Sequence, residues 1–295
     1  MGDRAMNPNQ QILFDVPGPR AQRRIRIATV LGALVLLGGL AWAIHRFASY
    51  GELAAERWQP FTTWPIWRYL LNALWSTLLA AAATAVLSAA LGLLLALGRL
   101  SARRPLRWLA GAYVEVFRTV PVLLLVYVTL FALPKYGLNF PLFWKLVVPL
   151  VVSNSAAFAE IFRAGIKALD RGQTEAGLAI GLRRGQVMRL VVLPQALLRL
   201  TPSLVSQLVG LLKDTSLGFV VGYTELLYSG QVLASYTHLL IQTFLVVALI
   251  YLVVNASLSK LARVLQARNG RLTTRGRSAA PGPATPPLTQ GGTAR

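Results

Sequence analysis

Tyr69 to Gly98 runs without one charged residue, and several other stretches of the chain do nearly the same. A helix needs roughly 20 mostly apolar residues to cross a bilayer. In hydrocarbon only a helix or a closed barrel satisfies its own backbone. These runs constrain the fold more than any other feature: the chain is expected to be all-α and polytopic, with six transmembrane helices. Ile27 to His45 forms the first, after the basic cluster Arg20, Arg23, Arg24 and Arg26. The run is long, begins well into the chain and has no small-residue cleavage site after it, which argues for a retained span over a signal peptide. Tyr69–Gly98 is the second. Trp108–Pro134 is the third, with Glu115 and Arg118 near its start. Phe143–Phe162 is the fourth and contains Asn154, Ser155 and Glu160. Leu200–Tyr223 is the fifth, interrupted by Lys213-Asp214. The sixth occupies about Leu239–Leu258, the later part of an uncharged run that begins at Leu226.

Composition agrees with a membrane class. Hydrophobic residues make up 55% and charged residues 14% of the chain, against about 25% charged in a soluble domain. The net charge of +20 would suggest nucleic acid on a soluble protein. Here the arginines sit in short loops and tails, so no nucleic-acid partner is expected. Of the 30 Lys and Arg, only Arg46, Arg57, Arg68, Lys135 and Lys145 fall in the loops of one side. The opposite side, holding both termini and the loops 99–107 and 163–199, is therefore assigned to the cytoplasm. Trp58, Trp64, Trp67 and Tyr69 read as an interfacial belt on the outer side. The ends, 1–26 and 266–295, are expected to be cytoplasmic tails, the second disordered, with basic residues near the spans binding anionic membrane lipid. Cysteine is absent and the only histidines, His45 and His238, are not at ligand spacing. No metal site, disulfide or cysteine nucleophile is expected.

Charges inside spans are costly and mark candidate functional positions. Glu115 and Arg118 are three apart, as are Glu160 and Arg163, which is pairing distance on a helix. Each pair reads either as a structural ion pair at a helix end or as part of a path across the membrane. Lys213-Asp214-Thr215-Ser216 lies about 20 Å into its span if the helix is continuous. Neighbouring residues on a helix do not face each other. Lys213 and Asp214 therefore need partners on other spans or a broken helix, which Gly210, Gly218 and Gly222 make feasible. With Asn154, Ser155 and Glu160, these four residues form the candidate substrate pathway.

The longest polar interruption, 163–199, is too long for a turn and too regular for disorder. Gln173 to Ile180 contains good helix formers, with Glu175 near the N-terminal end where the helix dipole favours it. Ala176, Gly177, Ala179 and Gly181 carry little bulk, while Leu178, Ile180 and Leu182 are apolar. Such a helix either inserts into a partner's groove or lies on the bilayer, and the residues alone leave both open.

Glu175-Ala176-Gly177, then Gly181, then Val191 and Leu193-Pro194 resemble the EAA loop of ABC-importer permease subunits. That pattern is Glu-Ala-Ala, Gly after three residues, then after nine more Ile, any residue and Leu-Pro. Here Gly177 replaces the second Ala and Val191 replaces Ile. Ala159 to Gly165, Gly172-Gln173, Leu193 to Leu197, Lys213 to Leu217, and Val114 to Arg118 with Pro121 are similar to the polar amino-acid branch. The glutamate importers of high-GC Gram-positive bacteria are the most similar group.

The resemblance covers about 69–265 and implies a five-span permease core there, with the EAA loop at 163–199. The first span, 27–50, would be an addition, joined to the core by an extracytoplasmic loop at 51–68. It implies that Gly172, Gln173, Glu175, Ala176, Gly177, Gly181, Leu193 and Pro194 couple to an ATP-binding subunit dimer, where ATP and Mg belong. It further implies a second permease chain, identical or a sister, and an extracytoplasmic amino-acid-binding protein, all at a bacterial plasma membrane. No catalytic residue or cofactor is expected in this chain. A P-loop needs Lys followed by Ser or Thr, and Lys135, Lys145, Lys167, Lys213 and Lys260 precede Tyr, Leu, Ala, Asp and Leu. An ion-driven transporter would instead show inverted repeats or paired broken helices, and an anchoring protein has no need of the EAA spacing. The expected substrate is glutamate or another polar L-amino acid.

Overall fold

A computed structural model describes residues 18–277, which are helical throughout apart from short connections. The chain divides between Thr63 and Trp64 into two units. The first holds α1 (Pro19–Ser49), a short α2 (Ala55–Trp58) and a 3-10 turn, Gln59–Thr62. Pro19 stands in the first turn of α1, where its missing N–H costs nothing. The basic cluster therefore belongs to the helix and not to a tail as expected. Residues 1–17 of that tail lie outside the described residues.

The second unit is built around α3 (Trp64–Leu100) and α6 (Leu142–Lys167). Buried positions on α3 recur every three or four residues and are small: Ala73, Thr77, Ala80, Thr84, Ser88, Gly92 and Ala96. Small residues let membrane helices approach closely enough for backbone packing. The tighter of the two buried glycines on α3 is Gly92, where an added Cβ would lie 2.6 Å from Phe158 Cβ and 2.9 Å from the Ser155 carbonyl. Gly92→Val is expected to cost about 1–3 kcal/mol by overpacking. Thermal unfolding in detergent measures this, with Gly39→Ala, which meets nothing within 4 Å, as the unaffected control.

The third expected span is not one helix. α4 (Arg104–Thr119) ends before Pro121, and α5 (Val122–Tyr127) continues through a π turn and a 3-10 turn to Tyr136. The two directions differ by 98°. Proline at 121 disfavours a helical conformation at the preceding residue, and Val120 is extended, with ψ 124°. Among the described residues, five helices are long and apolar enough to cross a membrane, or six if the bent pair counts as one span.

After α6 come the short α7 (Arg171–Ala179), α8 (Arg184–Val187) with a π turn, and α9 (Leu193–Asp214). α9 is not broken at Lys213-Asp214. It tightens into a 3-10 turn at Thr215–Leu217, continues as α10 (Gly218–Val221), and stops at Gly222, with φ 72°. The fifth span thus starts earlier than Leu200 and consumes part of the expected loop. α11 (Leu226–Thr237) is separated from α12 (Leu240–Arg277) by His238 in the left-handed region, with φ 56°. The tail expected to be disordered from 266 is helical as far as Arg277, because a helix supplies its own backbone hydrogen bonds beyond the bilayer. The remainder of that tail lies outside the described residues.

Candidate functional site

Helix α7 is closed at both ends by its own sequence. Asp170 precedes it and its Oδ1 accepts the Gly172 N–H at 2.9 Å, satisfying one of the orphan donors of a helix start. At the other end Gly181 has φ +86°. Its N–H donates to the Leu178 carbonyl at 3.0 Å, and that of Leu182 donates to the Gly177 carbonyl at 3.2 Å. This pair of bonds is a Schellman cap, and it requires the left-handed conformation that glycine adopts without strain. The glycine of the expected pattern is thus a stop signal.

Gly177 has a different reason. It is the buried residue of α7, and an added Cβ would stand 2.9 Å from Val187 Cγ2. Glycine where the pattern has alanine lets α7 sit directly on α8. The close approach expected between this small-residue face and a partner is, at Gly177, a contact within the chain. Gln173 is also engaged: its Oε1 accepts from Gln195 Nε2 at 3.0 Å, tying α7 to α9. Leu193 joins an apolar cluster of Ile166, Leu169, Val187, Val192 and Ala196, extended by Leu97, Leu100 and Leu182. Pro194, in the first turn of α9, is exposed. Glu175, Ala176, Leu178 and Ile180 face outward, Ile180 with 77% of its surface free. The expected coupling residues therefore divide into an outward set and a set that fastens α7. The cluster beneath joins the ends of α3, α6 and α9.

Above that end lies a cluster of charges. Glu160 Oε2 is 2.5 Å from Arg99 Nη1, and its Oε1 is 2.5 Å from Arg163 Nη2. Arg118 Nη1 is 3.8 Å from Oε2. The Glu160–Arg163 pair is present at its expected spacing, whereas the pair expected between Glu115 and Arg118 does not form. The half-buried Glu160 site attracts Arg118 across the helix interface, where less water screens the charges than at an exposed pair. Arg99 was not among the sequence candidates. Its only sequence signal is its place directly after the uncharged Tyr69–Gly98 run. Arg118, Glu160, Ser203 and Gln207 line an open groove between α4, α6 and α9, and the charge cluster at its edge, three guanidiniums on one carboxylate, is net positive.

The polar residues at depth separate into two places. Asn154 is buried, donates to the Leu150 carbonyl at 3.0 Å, and accepts from Gln207 at 2.8 Å. Asp214 lies beside it. Lys213 and Ser216 turn the other way, into a groove shared with Tyr251 and Asn255 of α12. Ser155 and Thr215 are buried and serve packing: Ser155 meets the Tyr113 hydroxyl at 3.0 Å, and Thr215 donates to the Leu212 carbonyl at 2.6 Å. Sequence reasoning missed Gln207, and it missed Glu225. The Glu225 carboxylate is fully buried and accepts from the N–H groups of Leu227 and Tyr228 and from the Tyr251 hydroxyl. An acidic residue just before an apolar run is the cap signal that marks it.

Residues 88–271 match the family described as binding-protein-dependent transport system inner membrane component. The glutamate transport system permease protein GluD of Corynebacterium glutamicum is 38% identical over 227 residues, covering 75% of this chain and 83% of its own. The probable glutamine ABC transporter permease protein GlnP of Bacillus subtilis is 37% identical, covering 65% of this chain and 89% of its own. A chain from the crystal structure of an amino acid ABC transporter with histidines superposes with a TM-score of 0.65 at 30% identity, over 69% of this chain and 95% of that one. The cap residues of α7, the apolar bed beneath it and these matches lead to one assignment: the chain belongs to the family of binding-protein-dependent transport system inner membrane components, the permeases of ABC importers.

Proposed function

We propose that the chain is the pathway-forming permease of an ATP-driven amino-acid importer whose first substrate is glutamate, with other polar L-amino acids next. The observation that carries the reading is α7: capped at both ends, fixed to α8 and α9 through Gly177 and Gln173, and free on its Glu175–Ile180 face. That is the form of a helix that a separate subunit grips and moves. Hydrolysis belongs to an ATP-binding subunit dimer, which carries ATP and Mg, and this chain hydrolyses nothing. A second permease chain, identical or a sister, completes the pathway, and an extracytoplasmic binding protein delivers the amino acid. The setting is a bacterial plasma membrane, multi-pass, with both termini cytoplasmic, as the arginine distribution supports. The five-span core is the transporting body. The span in 27–50 is an addition, and it lies outside the matched residues 88–271.

The net positive cluster of Arg99, Arg118 and Arg163 on Glu160 and the name of the Corynebacterium relative support an anionic substrate. Coupling residues are Gly172, Gln173, Glu175, Ala176, Gly177, Gly181, Leu193 and Pro194. Asn154, Glu160 and Asp214 are the pathway residues on the α6–α9 side, and Lys213 and Ser216 those on the α12 side. Proteoliposomes holding the chain with its ATPase, partner permease and binding protein are expected to take up labelled glutamate only with ATP. Uptake on an ion gradient without the ATPase overturns the mechanism. Competition by arginine or lysine stronger than by aspartate or glutamine overturns the substrate assignment alone.

A further inference from the structure

Helix α4 carries three distinct sectors. Ala110 and Val114 are buried, and Tyr113 and Phe117 pack with them against α3 and α6. Leu109 and Val116 form an apolar sector that is 61% and 52% exposed. The third sector is a stripe at three- and four-residue spacing: Arg104, Arg107, Trp108, Gly111, Ala112 and Glu115 line a groove of about 470 Å³. A helix with one body-facing, one apolar and one basic sector suits neither bulk water nor hydrocarbon. It suits the plane between them, where Trp108, 71% exposed, sits at the boundary of the two outer sectors.

Placement agrees. At 1.5 Å per residue α4 is roughly 24 Å long, short of the roughly 30 Å hydrocarbon core. It turns by 98° into the next segment, and an extended residue at Val120 makes the turn. Its N-terminus follows a three-residue connection from Leu100, which packs against the apolar cluster under α7. The basic stripe is therefore at the coupling end of the molecule. Neither Arg104 nor Arg107 makes an ion pair among the described residues, and Arg107 makes only a long contact, 3.5 Å, with the Ser101 carbonyl. Gly111 leaves the floor open, since a Cβ there meets nothing within 4 Å.

We propose that α4 lies in the membrane interface at the coupling end and that Arg104 and Arg107 hold the phosphate of an anionic phospholipid in the groove of its polar stripe. Two guanidiniums one turn apart supply donors to one phosphodiester. Glu115 at the far end carries the groove's single negative charge and restricts the phosphate to the arginine end. The net positive charge favours phosphatidylglycerol over a zwitterionic lipid, and the neighbouring Leu109–Val116 sector takes the acyl chains.

The test uses the full chain in nanodiscs containing equal phosphatidylglycerol and phosphatidylcholine, one of the two carrying a diazirine near the glycerol backbone. Labelled peptides are located by mass spectrometry. Phosphatidylglycerol is expected to label the 104–115 segment about tenfold or more over phosphatidylcholine, as two arginines near a surface allow up to about thirtyfold. Arg104→Gln with Arg107→Gln is expected to abolish the preference. The paired Lys variants are expected to retain it, and Arg23→Gln with Arg24→Gln to leave it unchanged. Equal labelling by the two lipids overturns the proposal. So does a loss in the Lys variants equal to that in the Gln variants, which assigns the effect to structure and not charge. Absence of lipid adducts on the segment, with cross-links to a second permease chain in their place, overturns it too.

Discussion

Replacing Glu160 by alanine is expected to abolish uptake and to destabilise the chain by about 1–2 kcal/mol, between the cost at an exposed ion pair and that at a fully buried one. The carboxylate holds Arg99 of α3, Arg163 of its own helix and, at longer range, Arg118 of α4. Without it three guanidiniums face one another with nothing to compensate them. Glu160→Asp, which keeps the charge but shortens the reach, is expected to lose less stability. Thermal unfolding in detergent separates the two variants, and uptake follows the same order. A Glu160→Ala chain of unchanged stability would remove the cluster from any structural role. The same variant with normal uptake would remove it from the pathway.

Gly181→Val is expected to lower ATP-driven uptake at least tenfold while membrane insertion is normal. The space around Gly181 is open, so the effect is conformational: φ is +86°. An L-residue pays about 1–2 kcal/mol in that region, and more when β-branched. The Schellman cap then opens, and Leu182 leaves the apolar cluster beneath α7. Glu175→Lys tests the outward face separately. It leaves the caps intact and reverses a charge on the surface offered to a partner, so loss of ATPase co-purification with an unaltered unfolding midpoint is expected. Gly185→Ala, which meets nothing within 4 Å and lacks a positive φ, should behave as the parent chain. ATPase recruitment unchanged in both Gly181→Val and Glu175→Lys would refute α7 as the docking helix.

Most spans were legible because each is a local statement: an uncharged run long enough to cross hydrocarbon. The break in the third was also local, written in Pro121, but the continuity of the apolar residues on either side masked it. The EAA-like spacing located α7, and its caps, Asp170 and Gly181, are readable as cap residues. The function of Gly177 was not readable, because its neighbour Val187 is ten residues away and on another helix. Glu115–Arg118 failed for a related reason. Helical spacing says which side chains are able to meet, and it says nothing of a stronger attraction from a third helix.

By itself the sequence determined the class of the protein, most of its spans, the side that carries its arginines, and the place of α7. These depend on hydrophobicity, charge and backbone caps, which act within a few residues of where they are written. The tertiary structure alone decided that Arg99, Arg118 and Arg163 converge on Glu160, that Asp214 and Lys213 face different sides, and that α7 rests on the ends of three spans. Those arrangements depend on how helices rotate and cross, which small residues such as Gly92 permit but do not specify, because close packing is a property of two surfaces at once.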